Sequence, residues 1–162
     1  MRDVKSESGF SLVEMMVVVV IIGLMTSVVV LTFPDRNSLL QQKAERTEKA
    51  MTALSRRSVM TGQILGARFS KSGFEVLRLS EDGWAIEDTL LKPEVQRWLA
   101  VKPVKLAVNN TDVDFSDETV SPHIWFLPTG EHPAFTLTLS AESARVSVFS
   151  PPSGTIRVSY DG

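Results

Sequence analysis

The chain has 162 residues, 43% hydrophobic and 22% charged, which suits one membrane or targeting segment followed by one globular domain able to bury its own core. A net charge of −2 and a pI near 5.7 supply no basic field for nucleic acid. The absence of cysteine excludes disulfides, thiolate metal sites and cysteine nucleophiles, and leaves the compartment open.

Near the front lies the stretch SGFSLVEMMVVVVIIG, residues 8–23, in which an apolar run carries an acid, Glu14, at its entrance. From Met15 to Phe33, 19 consecutive residues have no charge. As a helix rising ~1.5 Å per residue they span roughly 28 Å, close to the ~30 Å hydrocarbon core of a bilayer. The valine and isoleucine runs would suit a strand in water. In lipid a lone strand leaves its backbone polar groups unsatisfied, so a single span is helical. Pro34 and Asp35 mark its exit. A buried core helix seldom runs this long without a polar residue. A secretory signal would be shorter and end in a better small-residue cleavage site than Met25-Thr26-Ser27. A retained membrane helix fits the composition best. Orientation is weakly signalled, because Asp3 and Glu7 dilute Arg2 and Lys5, and Arg36 lies beyond the span.

A carboxylate in lipid costs roughly 2.5–3.5 kcal/mol at mid-bilayer and less near the interface, so Glu14 needs a reason. The bland one is a headgroup-level residue near the positive end of the helix dipole. The sharper one is a cut between Gly9 and Phe10, which would leave an α-ammonium on Phe10, four residues before Glu14. That amine, from the same or a neighbouring chain, is the counter-ion the acid lacks.

Gly9-Phe10-Ser11-Leu12-Val13-Glu14 followed by the apolar run resembles the class III signal of type IV pilins and type II secretion pseudopilins. The resemblance implies cleavage after Gly9 by a membrane aspartyl peptidase and N-methylation of Phe10. It also assigns Glu14 the role of assembly glutamate. The leader would then be residues 1–9 and the transmembrane helix 10–33.

Beyond Pro34, Asn37 and Ser38 are candidate caps of a second helical stretch, 34–62, that continues the first outside the membrane. Leu40, Ala44, Thr47, Met51, Leu54 and Ser58 fall on one face; Glu45, Lys49, Thr52 and Arg56 fall opposite. Glu45 and Lys49 are ordered for an i,i+4 pair, and Gly62 is a stop. The apolar stripe predicts packing onto a following sheet rather than onto a membrane surface, because it lacks aromatic anchors.

After Gly62 the period becomes alternating, with many aromatic and β-branched residues, and predicts a β-rich domain over 63–162. Expected strands are Ile64–Phe69, Phe74–Leu79, Trp84–Glu87, Val104–Val108, Ile124–Leu127, Phe135–Leu139, Val146–Phe149 and Thr155–Tyr160. The last three read as an antiparallel meander. Residues 88–103, with Leu90, Leu91 and Trp98 around Pro93, predict a short helix or irregular crossing. The fold class expected is α+β, a long N-terminal helix on a mostly antiparallel β-sandwich. Phe126-Leu127-Pro128-Thr129-Gly130 and the strands after it resemble the C-terminal part of the H-type minor pseudopilin domain.

Catalytic and metal chemistry find little support. The acidic segment 109–118 lacks the glycine turn and terminal glutamate of an EF-hand loop and reads as solvated. Asn109-Asn110-Thr111 matches a glycosylation sequon too short to carry meaning. His123 and His132 lie nine apart, each beside a proline, without further ligands. Trp84, Trp98 and Trp125 read as core, and neither a Gly-x-Ser-x-Gly elbow nor a phosphate-binding glycine loop occurs. The chain is therefore read as a non-enzyme with no cofactor and no metal.

The resemblance implies a minor pseudopilin of a type II secretion system, single-pass in a bacterial inner membrane. Its N-terminus would be cytoplasmic and its β-domain periplasmic. Implied partners are other major and minor pseudopilins, the prepilin peptidase and methyltransferase, the inner-membrane assembly platform and membrane lipid, with no nucleic acid. The competing readings are a minor pilin of a type IV pilus, a signal-anchored periplasmic ligand-binding β-domain and an envelope hydrolase.

Overall fold

The computed structural model describes residues 11–30, 36–97, 104–116, 119–141 and 144–161, the side chains at 26–30, 36, 37, 94, 104 and 161 aside. It divides into two units, Met1–Asp35 and Arg36–Gly162. In the first, helix α1 runs Leu12–Val30. In the second, helix α2 runs Arg36–Thr61 and is followed, among the described residues, by nine strands and one short helix.

Helix α2 forms as its spacing predicts. Leu40, Ala44, Thr47, Met51, Leu54 and Ser58 are all at most 1% exposed. Leu40, Met51 and Leu54 each stabilise the domain by roughly 1.5–3 kcal/mol on leaving water. Glu45, Lys49 and Arg56 stand in solvent, and Thr52 is half-buried. The helix ends at Gly62, whose φ of +69° places it in the left-handed region and whose N–H donates to the Ser58 carbonyl at 3.0 Å. One expectation is corrected: the helix already includes Asn37 and Ser38, so these residues fill its first turn rather than cap it. First-turn N–H groups have no intrahelical partner in any case, so polar residues there cost little.

The strands are β1 Leu65–Ser70, β2 Gly73–Ser80, β3 Gly83–Ile86, β4 Val104–Val108, β5 Thr111–Asp112, β6 Ile124–Phe126, β7 Phe135–Ala141, β8 Ala144–Ser150 and β9 Arg157–Asp161. Helix α3, Pro93–Gln96, sits in the predicted crossing, whereas Trp98 lies outside the described residues. One sheet has the order β3-β2-β1-β6 and the other β5-β4-β7-β8-β9, with every pair antiparallel. All eight expected strands are present within one or two residues, and the β7-β8-β9 meander is as read.

The added strand, β5, comes from the segment read as a solvated loop. Val108 pairs with Thr111, so Asn109 and Asn110 form a two-residue turn with φ of +49° and +64°. That is a type I′ hairpin, which asparagine tolerates better than most side chains.

Alternation then builds the core. Leu65, Ala67 and Phe69 of β1 meet Phe74 and Val76 of β2 and Ile124 and Phe126 of β6. In the other sheet Leu106, Leu137, Val148 and Val158 form one cross-strand row. Both inner faces close with the buried side of α2 on a single core, α2 touching β1 and β6 of one sheet and β7, β8 and β9 of the other.

The outer face of the smaller sheet is also apolar in part. Trp125, Gly66, Leu77 and Ile86 lie in one row across its four strands, with Leu79 opposite Trp84 alongside. Pro122 packs over Gly66, where an added Cβ would come within 2.4 Å of the proline Cβ. Trp125 is 38% exposed on this face, which corrects its expected place in the core: Ile124 and Phe126 take the inward positions of β6.

Candidate functional site

The sequence-predicted site is the head of the apolar helix. Gly9 and Phe10 lie outside the described residues; Glu14 is in the first turn of α1. Ser11 precedes the helix and its carbonyl accepts from the N–H groups of Glu14, at 3.0 Å, and Met15, at 3.2 Å. Ser11 is thus the N-cap and Glu14 the third helical residue. This S-x-x-E spacing is that of a capping box, in which the acid reaches back to the cap's own N–H. The spacing is visible in the sequence and offers a local reason for a carboxylate here, beside the counter-ion reason.

Apolar residues surround α1 on all sides, with no polar stripe. Every side chain described in it is exposed, Leu12 at 78% and Met25 at 68%. A helix apolar all round belongs in lipid or in a bundle of like helices. Among the described residues no helix is long and apolar enough to cross a membrane. Within α1 the described side chains stop at Met25, and the uncharged run behind the expected span continues to Phe33.

The other sequence candidates have structural roles. Asp114 accepts from the Ser116 N–H at 2.9 Å and the Ser116 hydroxyl at 2.7 Å, and these bonds hold its carboxyl below the usual carboxylate range. That is an Asx-type turn inside the 109–118 segment. His123 Nδ1 accepts from the Phe69 N–H at 3.1 Å, tying its loop to β1. His132 is buried between Phe126 and Phe135, its Nδ1 3.0 Å from the Pro133 carbonyl and its Nε2 3.1 Å from the Gly154 carbonyl. A neutral ring donates to one of those carbonyls at a time. Among the described residues no group of three or more His, Asp or Glu side chains can hold a metal.

The Phe126–Gly130 motif is a structural corner. Gly130 N–H donates to the Leu127 carbonyl, and Leu127 N–H to the Glu131 carbonyl, both at 2.9 Å. Gly130 has φ +87°. The corner is joined to the end of α2 by Ser58, whose buried hydroxyl lies 2.8 Å from the Phe126 carbonyl and 2.6 Å from that of Gln63.

Sequence reasoning missed the distribution of charge around α2. Lys43 is drawn inward: its ammonium donates to the Arg97 carbonyl at 2.7 Å, and burial, then Arg46, pushes its pKa down. Glu45 accepts from the Tyr160 hydroxyl at 3.2 Å and Glu48 from Thr52 at 3.2 Å. The ion pair expected between Glu45 and Lys49 is not among those within 4.0 Å in the described residues, which are Arg68–Glu75 and Arg78–Glu87.

Comparison with known proteins agrees with the sequence resemblance. Residues 4–30 match the model of the prokaryotic N-terminal methylation motif. Type II secretion system protein H of Pseudomonas aeruginosa is 28% identical over 148 residues, covering 84% of each chain. The protein H of Klebsiella pneumoniae is 24% identical over 155 residues, 82% of this chain and 86% of that one. In fold, the crystal structure of the minor pseudopilin EpsH of Vibrio cholerae matches with a TM-score of 0.61 at 20% identity, over 77% of this chain and 96% of that one. The solution structure of Escherichia coli GspH matches with a TM-score of 0.59 at 16% identity, over 76% and 89%. The chain resembles the H-type minor pseudopilins along most of its length.

Proposed function

We propose that this chain is a minor pseudopilin of a type II secretion system, a structural subunit rather than an enzyme. The observation that carries the reading is one contiguous feature: a glycine–phenylalanine pair, an acid in the first turn, and a helix apolar on all sides. It heads a chain that resembles protein H over more than four-fifths of its length. In this reading the chain is cut between Gly9 and Phe10 and methylated on the new terminus, and residues 10–33 anchor it in the inner membrane. The α2–sheet domain then stands in the periplasm. The same helix serves twice, first as an anchor in lipid and then as a packing element against other pseudopilin helices. Either surrounding accepts an all-round apolar surface.

Glu14 suits the second role. In a water-free bundle its carboxylate would neutralise a Phe10 ammonium, and such a pair costs about 3–5 kcal/mol to break from one side. The test is made in cells that lack the endogenous gene and carry an active prepilin peptidase. Intact mass of the membrane protein should give a chain of 153 residues, the 162 less the leader of nine, starting at Phe10 with one added methyl group. The gene should also restore export of folded proteins. A mature terminus at Ser27 or later, or full export without the gene, rejects the reading. Restored surface pili in place of restored export would assign the chain to a type IV pilus.

A further inference from the structure

The larger sheet turns Leu106, Leu137, Leu139, Val146 and Val148 to the core, so the alternate residues of β4, β7, β8 and β9 form its outer face. Two rows cross that face. Register aligns Asp112, Ala107, Thr136, Phe149 and Arg157 in one, and Lys105, Thr138, Ser147 and Ser159 in the next. Elsewhere in the domain hydroxyls find partners: those of Ser58, Ser80, Ser116, Thr129 and Ser150 each lie in a hydrogen bond. On this face, among the described residues, the hydroxyls of Thr136, Thr138, Ser147 and Ser159 have no such partner, and neither Lys105 nor Arg157 has an ion pair. Lys105, Thr136 and Arg157 are exposed, and the other three hydroxyls are half-buried. Arg145, farther along the face, has Asp161 opposite it in the register.

At the first row a hollow of about 280 Å³ opens, lined among others by Ala107, Asn110, Thr136, Phe149 and Pro151. It is slightly below the ~300 Å³ of the smallest drug-sized sites, so it suits a single ring rather than a folded ligand. Phe149 is half-buried there and supplies an aromatic wall. A sugar ring presents C–H groups on its faces and hydroxyls around its edge. The faces suit an aromatic ring, whose π-surface is partially negative. The edge suits hydroxyls and amides, which donate and accept. Lys105 and Arg157 stand three strand spacings apart, about 14 Å, which suits an occasional carboxylate. Nucleic acid, with one charge per ~1.7 Å, would need far more cations. A protein partner would want an apolar centre, and only Ala107 and Phe149 of the two rows are apolar.

We propose that the outer face of the larger sheet binds a carboxylate-bearing glycan strand, with one sugar ring seated against Phe149 and the strand lying on the hydroxyl row between Lys105 and Arg157. The source of the glycan rests on the periplasmic placement of the proposed function: it is the cell-wall polymer.

The test is sedimentation of the full-length chain, in detergent, with purified cell-wall sacculi before and after an amidase strips their peptides. Stripping frees a carboxylate on every second sugar. The natural chain should stay in the supernatant without glycan, pellet saturably with both preparations, and bind the stripped one more tightly. Lys105→Glu with Arg157→Glu should weaken binding to stripped glycan by about ten-fold. Lys71→Glu with Lys92→Glu, equal in charge and outside the larger sheet, should leave it within about two-fold. Thr138→Val with Ser147→Ala removes two hydroxyls and should also cost about ten-fold. Phe149→Leu keeps an apolar wall without the ring and should cost several-fold; if that variant does not accumulate, the charge and hydroxyl variants decide. No pelleting with either preparation, loss of binding on stripping, or equal effects of the two charge-reversal pairs overturns the proposal. Displacement by polyglutamate as readily as by soluble glycan fragments also overturns it, because charge without sugar then suffices. A chain that restores export yet never pellets with glycan rejects this inference only. One that pellets through this face without restoring export supports the site and rejects the secretion reading.

Discussion

Ser58 is where the helix, the corner and the sheet depend on one atom. Its hydroxyl is fully buried and lies within hydrogen-bond distance of two carbonyls, Gln63 at 2.6 Å and Phe126 at 2.8 Å. One proton serves one carbonyl at a time, so Ser58→Ala deletes one bond and leaves the buried Phe126 carbonyl, along with the less buried Gln63 carbonyl, without that donor. The lost volume is a single oxygen, so the cavity contribution is small and the unsatisfied carbonyl dominates. The expected cost is about 2 kcal/mol, or roughly 6–10 °C in Tm for a unit of this size. Thr61→Ala is the internal control. Its hydroxyl also donates to a helix carbonyl, Arg57 at 2.8 Å, but in an exposed site where water replaces it. That change should stay within about 0.5 kcal/mol. Thermal and urea unfolding of residues 36–162 measure both, with the urea midpoint of Ser58→Ala falling at unchanged slope. If Ser58→Ala loses no more than Thr61→Ala, a water reaches those carbonyls and the corner does not depend on the hydroxyl.

The capping-box spacing sharpens the test of Glu14. Glu14→Gln keeps the ability to cap and loses the charge, so it should be processed and inserted like the natural chain yet enter filaments poorly, as should Glu14→Leu; Glu14→Asp should be partly tolerated. The expected loss is about two orders of magnitude in assembly, read by cross-linking to other pseudopilins alongside a secretion assay. Normal assembly of Glu14→Gln with failure of Glu14→Leu would reduce the acid to a local cap. For pH, the Glu87 carboxyl is lowered first by the hydrogen bond from the Thr89 hydroxyl and also by Arg78, 3.2 Å away, against a partial burial that raises it. A carboxyl with a depressed folded pKa stabilises fully above its unfolded value of about 4.3, and that contribution is lost as pH falls through the folded value. Acid melts should therefore be less steep below about pH 4.3 for Glu87→Gln than for the natural domain, and identical slopes would remove this group from the acid response.

Much of the chain is legible because its signals are local. The apolar run with Glu14 at its head, the stripe from Leu40 to Ser58 and the left-handed Gly62 are patterns within a few turns. So is the alternation of Phe135-Thr136-Leu137-Thr138-Leu139. The stripe, Gly62 and this alternation came through in the structure at their expected places, and the apolar run is helical over Leu12–Val30. The same kind of local signal existed for the Asn109-Asn110 hairpin and for the Ser11–Glu14 cap, where two short motifs sit inside longer segments read for other purposes. Other features had no local signature. β6 joins the edge of β1 from more than 50 residues away, and β4 pairs with β7 rather than with its neighbour β3. Strand order follows from which faces share a core, and period alone does not report it. Trp125 faces outward and Ile124 and Phe126 inward because the β6 register on β1 decides the side each residue takes. Ser58, an ordinary serine at a helical position, acquires its role only when the Phe126 carbonyl is brought to it across 68 residues. The free cations of α2 are likewise a tertiary result: folding draws Glu45 to Tyr160 and Lys43 to Arg97, and leaves Lys49, Arg56 and Arg57 in solvent without a partner among the described residues.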